Sequence, residues 1–89
     1  MRVILDQAYE LDPKVSLRPE PFGALAYHFG NRRLSFLRSH DMVAVVNALA
    51  AHPTVADALA AAGIDQRRWP SFEKALVALE SSEMIRVRS

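Results

Sequence analysis

Three consecutive residues, Ser39-His40-Asp41, spell the members of a hydrolytic triad, so they are where covalent chemistry would first be sought. A working triad needs a nucleophile, a base and an orienting carboxylate that converge in space, whereas neighbours at a helix start project in different directions. Capping explains the same letters better. Serine is a favoured N-cap, and an aspartate in the first turn meets the positive end of the helix dipole. His28, His40 and His52 have no histidine at i+4 and no cysteine with which to share a metal, because the chain contains no cysteine. With only three glycines there is no phosphate-cradling loop either. The residues predict a protein that is not an enzyme and holds no metal and no cofactor.

Charge bears on the next class. Eleven basic residues stand against ten acidic ones, a net charge of +1, which gives no general pull toward nucleic acid or anionic membrane. The stretch 70–83, the natural candidate for a recognition helix, has Lys74 alone against Glu73, Glu80 and Glu83, a net −2 from one cation and three anions. Such a helix meets a phosphate backbone badly. Arg67-Arg68 just before it softens that objection without reversing it. A winged-helix DNA-binding transcriptional regulator is therefore the second reading, not the first.

The 89 residues have room for one domain, residues 1–89, and 51% hydrophobic residues suffice for a modest core. Domains of this size bury only about 60–65% of the surface of the unfolded chain, so a stability of roughly 5 kcal/mol is expected. Met1-Arg2-Val3-Ile4-Leu5-Asp6 reaches an acid after three apolar residues, which is no signal-peptide core, and no run of about 18 apolar residues occurs. A soluble, cytoplasmic protein is expected.

The elements that must position any site change character near residue 39. Before it lie three of the five prolines and most aromatic residues; after it come alanine-rich stretches. Val15-Ser16-Leu17-Arg18 alternates like a half-buried strand. Pro19-Glu20-Pro21-Phe22-Gly23 is expected to break it, Ala24 to Phe29 to form a second strand, and Gly30-Asn31 to turn tightly into a third over Arg33–Leu37. Met42, Val45, Val46 and Leu49 then recur at helical spacing behind the Ser39 cap, and Pro53 ends the run. Thr54-Val55-Ala56-Asp57 resembles a capping box for a short helix to about Ala62, stopped by Gly63. Pro70 suits the start of a third helix with Phe72, Ala75, Leu76 and Leu79 as its apolar stripe. Trp69 beside it reads as a packing residue, although tryptophan is also enriched at interface hot spots. Residues 1–12 are expected to be flexible or an extra strand, and Met84–Arg88 to be a terminal strand. The fold class is α+β: a three-stranded antiparallel sheet followed by three helices, arranged like a winged helix.

On these residues a family likeness appears. Arg18-Pro19-Glu20-Pro21-Phe22-Gly23-Ala24-Leu25, then Tyr27-His28-Phe29-Gly30 and Leu34-Ser35-Phe36-Leu37, resemble the peptide chaperones of mycofactocin biosynthesis over roughly residues 9 to 86. These belong to the wider group of precursor-peptide recognition domains that includes the pyrroloquinoline quinone chaperone. The resemblance implies a non-catalytic protein. It implies that the leader of a ribosomally made precursor peptide adds as a strand along the third strand, beside the third helix. It further implies delivery to a radical S-adenosylmethionine maturase.

Strand addition needs an open sheet edge, and Arg33, Leu34, Ser35, Phe36, Leu37 and Arg38 alternate without a proline. Of these, Phe36 is expected to pack in the core more than to meet peptide. Backbone pairing alone gives too little: about five hydrogen bonds at a net 0.5–1.5 kcal/mol each are nearly cancelled by ordering about five residues at roughly 1–2 kcal/mol each. Side-chain pockets must supply the rest, and Glu73, Leu76, Val77 and Glu80 on the third helix are the candidates for their wall. Arg32, Arg33, Arg38 and Lys74 would steer the acidic leaders that the resemblance implies. An open edge is also free to pair with a second copy, so a homodimer that covers the peptide site is a further expectation.

Overall fold

In the computed structural model, which describes residues 4–88, the elements run β1 (Tyr9–Leu11), β2 (Val15–Glu20), β3 (Gly23–His28), β4 (Leu34–Leu37), α1 (His40–Ala48), α2 (Val55–Ala61), α3 (Trp69–Ser81) and β5 (Ile85–Val87). Single 3-10 turns, Leu49–Ala51 and Gln66–Arg68, extend α1 and lead into α3. β2, β3 and β4 form the expected antiparallel meander, with Val15 opposite His28 and Ala24 opposite Leu37. The class is mixed α+β with three helices, and the order of elements is compatible with a winged-helix-like arrangement.

Three expectations are sharpened or corrected. Residues 9–11 are a strand: β1 pairs antiparallel with β5, Tyr9 opposite Val87 and Leu11 opposite Ile85, in a second small sheet. The part of that expectation that concerns residues 1–3 lies outside the described residues. β2 does not stop at the prolines but continues through Pro19 to Glu20. The Phe29 N–H donates to the Lys14 carbonyl (2.8 Å), and the period of two then gives Pro19 no ladder bond to lose, the one arrangement in which an edge strand accepts proline. The third correction is the turn: β3 ends at His28, so Phe29 lies outside the strand and residues 29–33 form the connection.

The buried ring of His28 builds that connection. Its Nδ1 accepts from the backbone N–H groups of Gly30 (2.9 Å) and Asn31 (3.1 Å), and the Arg32 N–H donates to the His28 carbonyl (2.8 Å). A Cβ on Gly30 would stand 2.8 Å from the His28 ring, so only glycine fits there. The left-handed residue of the turn is Arg32, φ 61°, rather than Gly30 or Asn31. At the other end of β3, Gly23 (φ 149°) leaves β4 so close that a Cβ would meet the Leu37 carbonyl at 2.1 Å.

The caps read from the sequence are formed. Ser39 Oγ accepts from the Met42 N–H (3.0 Å) and Thr54 Oγ1 from the Asp57 N–H (3.1 Å). Val55 and Ala56 donate to the Gln7 and Leu5 carbonyls (3.0 Å each), which ties the segment before β1 to the start of α2. Gly63 at φ 75° closes α2. The inner face of the meander carries Ala24, Ala26 and Leu37, small enough at two positions for α1 to lie close. Leu49, Leu59, Leu76 and Ile85 are buried to 1% exposure or less, each contributing about 1.5–3 kcal/mol. Trp69 packs against this core and donates its indole N–H to the Ile64 carbonyl (2.9 Å).

Candidate functional site

β4 is the site's foundation because it is an edge. Among the described residues it pairs only with β3, and its other side faces a cleft. The His28 N–H donates to the Arg33 carbonyl (3.0 Å), and that bond fixes the phase of the ladder. With Ala26 opposite Ser35 and Ala24 opposite Leu37, the period of two assigns the backbone groups of Ser35 and Leu37 to β3. The N–H and C=O groups of Leu34 and Phe36 then point to the open edge. Side chains alternate the other way, with Leu37 buried and Leu34 and Phe36 each 56% exposed.

The cleft holds about 590 Å³, within the range of ligand sites. One wall is Leu34 to Ser39 with Met42. The other is the α3 face formed by Ser71, Phe72, Ala75, Ala78, Leu79 and Ser82. Ser71, Ala75, Ala78 and Ser82 recur at helical spacing, and their small side chains keep the space open while Phe72 and Leu79 form an apolar floor. The cleft is closed at one end by the turn after β3. Asn31 Nδ2 donates to the Ser82 carbonyl (3.3 Å) and Glu83 Oε2 (3.1 Å), and the Arg33 guanidinium reaches the Ser81 carbonyl (3.5 Å). Arg38, at the other end of the strand, lies 5.6 Å over the Phe36 ring.

The structure thus brings Leu34, Ser35, Phe36, Leu37 and Arg38 together along the cleft and places Arg33 at its closed end. It does not bring the four α3 candidates there. Leu76 is wholly buried in the core. Glu80 accepts a hydrogen bond from the buried Tyr9 hydroxyl (3.0 Å), on the side of β1. Glu73 and Val77 share its stripe, since a step of two residues turns a helix by about 200° and so separates 73, 77 and 80 from 71, 75 and 78. None of the four lines the cleft. Phe36 is corrected in the other sense: it does not pack in the core, because the neighbouring Leu37 takes the inward position. The missed residues are Ser71, Ala78 and Ser82, whose signal was the run of small side chains on one helix face.

The rival chemistries find other partners. Ser39 caps α1, the His40 ring nitrogen Nε2 lies 3.0 Å from the Pro21 carbonyl, and Asp41 binds Arg68 at 2.9 Å, so the three triad letters face three different ways. Arg67 pairs with Asp65 (3.3 Å), whose carboxyl the adjacent guanidinium and the Arg67 N–H hold below its ordinary value. Both cations that favoured phosphate binding therefore sit in surface ion pairs with carboxylates of the chain, which partly neutralise them. No helix of the described residues is long and apolar enough to cross a membrane.

Known proteins share this arrangement of sequence. Peptide chaperone MftB of Mycobacterium ulcerans (strain Agy99) is 48% identical over 80 residues, covering 90% of this chain and 73% of that protein. Peptide chaperone MftB of Mycolicibacterium smegmatis (strain ATCC 700084 / mc(2)155) is also 48% identical, with coverage of 90% and 78%. The protein of the same name from Mycobacterium tuberculosis (strain ATCC 25618 / H37Rv) is 45% identical, with coverage of 90% and 73%. No solved structure matches significantly. The model of the Peptide chaperone MftB family matches residues 8–86, which includes β1, the whole meander and every residue of the cleft, and the chain belongs to that family.

Proposed function

We propose that this chain is a non-catalytic cytoplasmic chaperone that binds the leader of a ribosomally made precursor peptide as an added strand on β4. It then presents that peptide to a radical S-adenosylmethionine maturase in mycofactocin biosynthesis. The observation that carries the reading is the open edge of β4, whose Leu34 and Phe36 backbone groups face a cleft instead of a neighbouring strand. Family membership supports a peptide as the occupant.

Four outward backbone groups, two each on Leu34 and Phe36, cannot hold a disordered peptide alone, since each bond nets only about 0.5–1.5 kcal/mol. The apolar floor of Phe72 and Leu79 supplies the remainder by burying side chains of the leader. Exposed Arg32, Arg33 and Arg38 around the strand give an acidic leader a faster approach that weakens with salt.

The test is a calorimetric titration with a synthetic leader of the mycofactocin precursor, beside a scrambled peptide and a DNA duplex. A dissociation constant near or below about 1 μM, equivalent to about −8 kcal/mol, seen for the leader alone is expected. No heat with the leader together with salt-sensitive duplex binding would make the protein a DNA reader instead. A homodimer through the same edge competes with the leader, so light scattering should show any dimer dissociating as peptide saturates. A dimer that persists would place its interface elsewhere.

A further inference from the structure

A strand added to β4 has two faces, and only one of them meets the cleft. We propose that the leader is read on its other face as well, by a cup of Phe22, Phe36 and Arg38 on the outer surface of the meander that takes a large apolar side chain. The inference rests on strand addition to β4. The cup is an opening of about 430 Å³ lined by these three residues, separate from the α3 wall. Phe22 and Phe36 meet edge to face at 6.0 Å and remain 42% and 56% exposed, so an aromatic corner is built and left uncovered.

The occupant follows from the ladder. Phe36 offers its own N–H and C=O to the incoming strand, so a peptide residue must lie directly beside it. Residues paired across a ladder project to the same face, with Cβ atoms about 4.5–5.5 Å apart. That peptide side chain is therefore set against the Phe36 ring whichever way the strand runs. Its neighbours on either side point into the cleft. Two positions along, on the outer face again, the next side chain falls beside the exposed guanidinium of Arg38. The ligand class is accordingly a strand with a large apolar residue and an acidic residue two apart on one face, and apolar residues between and around them on the other. A leader with all its apolar residues on a single face fits only half of this site.

Exposed aromatic corners also bind other proteins, and the test separates these cases. Phe36→Thr keeps strand propensity and removes the ring; Phe22→Ala removes the other wall. Each should weaken the synthetic mycofactocin-precursor leader roughly tenfold, the scale of a central aromatic at an interface. In an alanine scan of that peptide, one outward position should lose its effect in the Phe36→Thr background, while cleft-facing positions keep theirs. Leu34→Pro serves as the reference for strand addition itself. If Leu34→Pro abolishes binding while both aromatic variants bind as wild type, strand addition holds and the outer cup is refuted. If Leu34→Pro binds as wild type, strand addition fails and the cup falls with it. Aromatic variants that keep leader affinity but no longer support maturase turnover, or that alter the oligomeric state, would assign the corner to another protein and overturn the proposal.

Discussion

Two adjacent prolines should have opposite consequences, and the difference is worked from one hydrogen bond. Because the His28 N–H bonds to the Arg33 carbonyl, Ser35 donates inward to β3 and Leu34 donates outward to the edge. Ser35→Pro removes the ladder bond to Ala26 and sets a ring against β3, at a cost of about 3 kcal/mol, the upper end for a buried group left unsatisfied. Against a total of roughly 5 kcal/mol that change leaves a domain close to unfolding. Leu34→Pro loses no internal bond, and its side chain is already 56% exposed, so the expected change is within about 1 kcal/mol. It does remove one donor to the ligand and put a ring in the path of the added strand. Loss of leader affinity by tenfold or more is expected, equivalent to about 1.4 kcal/mol. Urea unfolding of both variants, with calorimetric titration of Leu34→Pro, measures both effects. Two equally stable variants would refute the ladder phase. A Leu34→Pro protein that is stable and binds normally would refute strand addition at this edge.

Ala78→Leu should fill the cleft from an exposed helix position, leaving the urea midpoint nearly unchanged while leader binding falls at least tenfold by titration. Gly23→Ala places a Cβ at 2.1 Å from the Leu37 carbonyl at a φ of 149°, and should cost about 2–4 kcal/mol in urea unfolding. His28→Leu leaves the Gly30 and Asn31 amides without their acceptor; a loss of about 1–3 kcal/mol is expected, with faster hydrogen exchange at those two amides. Asp65 should titrate below its ordinary 3.8 by NMR and move up in Arg67→Ala. A lowered carboxyl favours the folded state above its unfolded value, and that contribution is lost as pH falls through the folded value.

Local signals were legible in the sequence. Ser39, Thr54, Gly63 and Pro70 act through their immediate neighbours, and each bounds the helix it was expected to bound. The alternation of residues 84–88 marks the terminal strand, but its pairing with β1 was not legible, because three-residue strands hold too little pattern to choose a partner and their Glu10–Arg86 bridge (2.7 Å) closes a loop of most of the chain. Phe36 was misjudged for a related reason. Phe36 and Leu37 are adjacent, apolar and similar in propensity, and only the register against Ala24 decides which one turns inward. The apolar stripe of α3 hid a comparable split. Leu76 is core, whereas Phe72 and Leu79 are core on one side and cleft floor on the other, and hydrophobicity alone does not separate those roles.

The acids of α3 illustrate why placement matters more than count. Their number argued against phosphate binding, and on the expected wall Glu73 and Glu80 would have repelled an acidic leader as well. In the structure Glu80 meets Tyr9 on the far side of the helix, and Glu83, just beyond α3, accepts from Asn31 at the closed end. Among the residues that line the cleft there is one charge, the cation of Arg38, and no anion. The same sequence whose α3 acids meet a phosphate backbone badly therefore presents a largely apolar slot with one arginine at its rim. An extended chain with apolar residues toward that slot and an acidic residue beside Arg38 suits this lining, whereas a duplex, which must place several phosphates against cations at once, meets a single cation there.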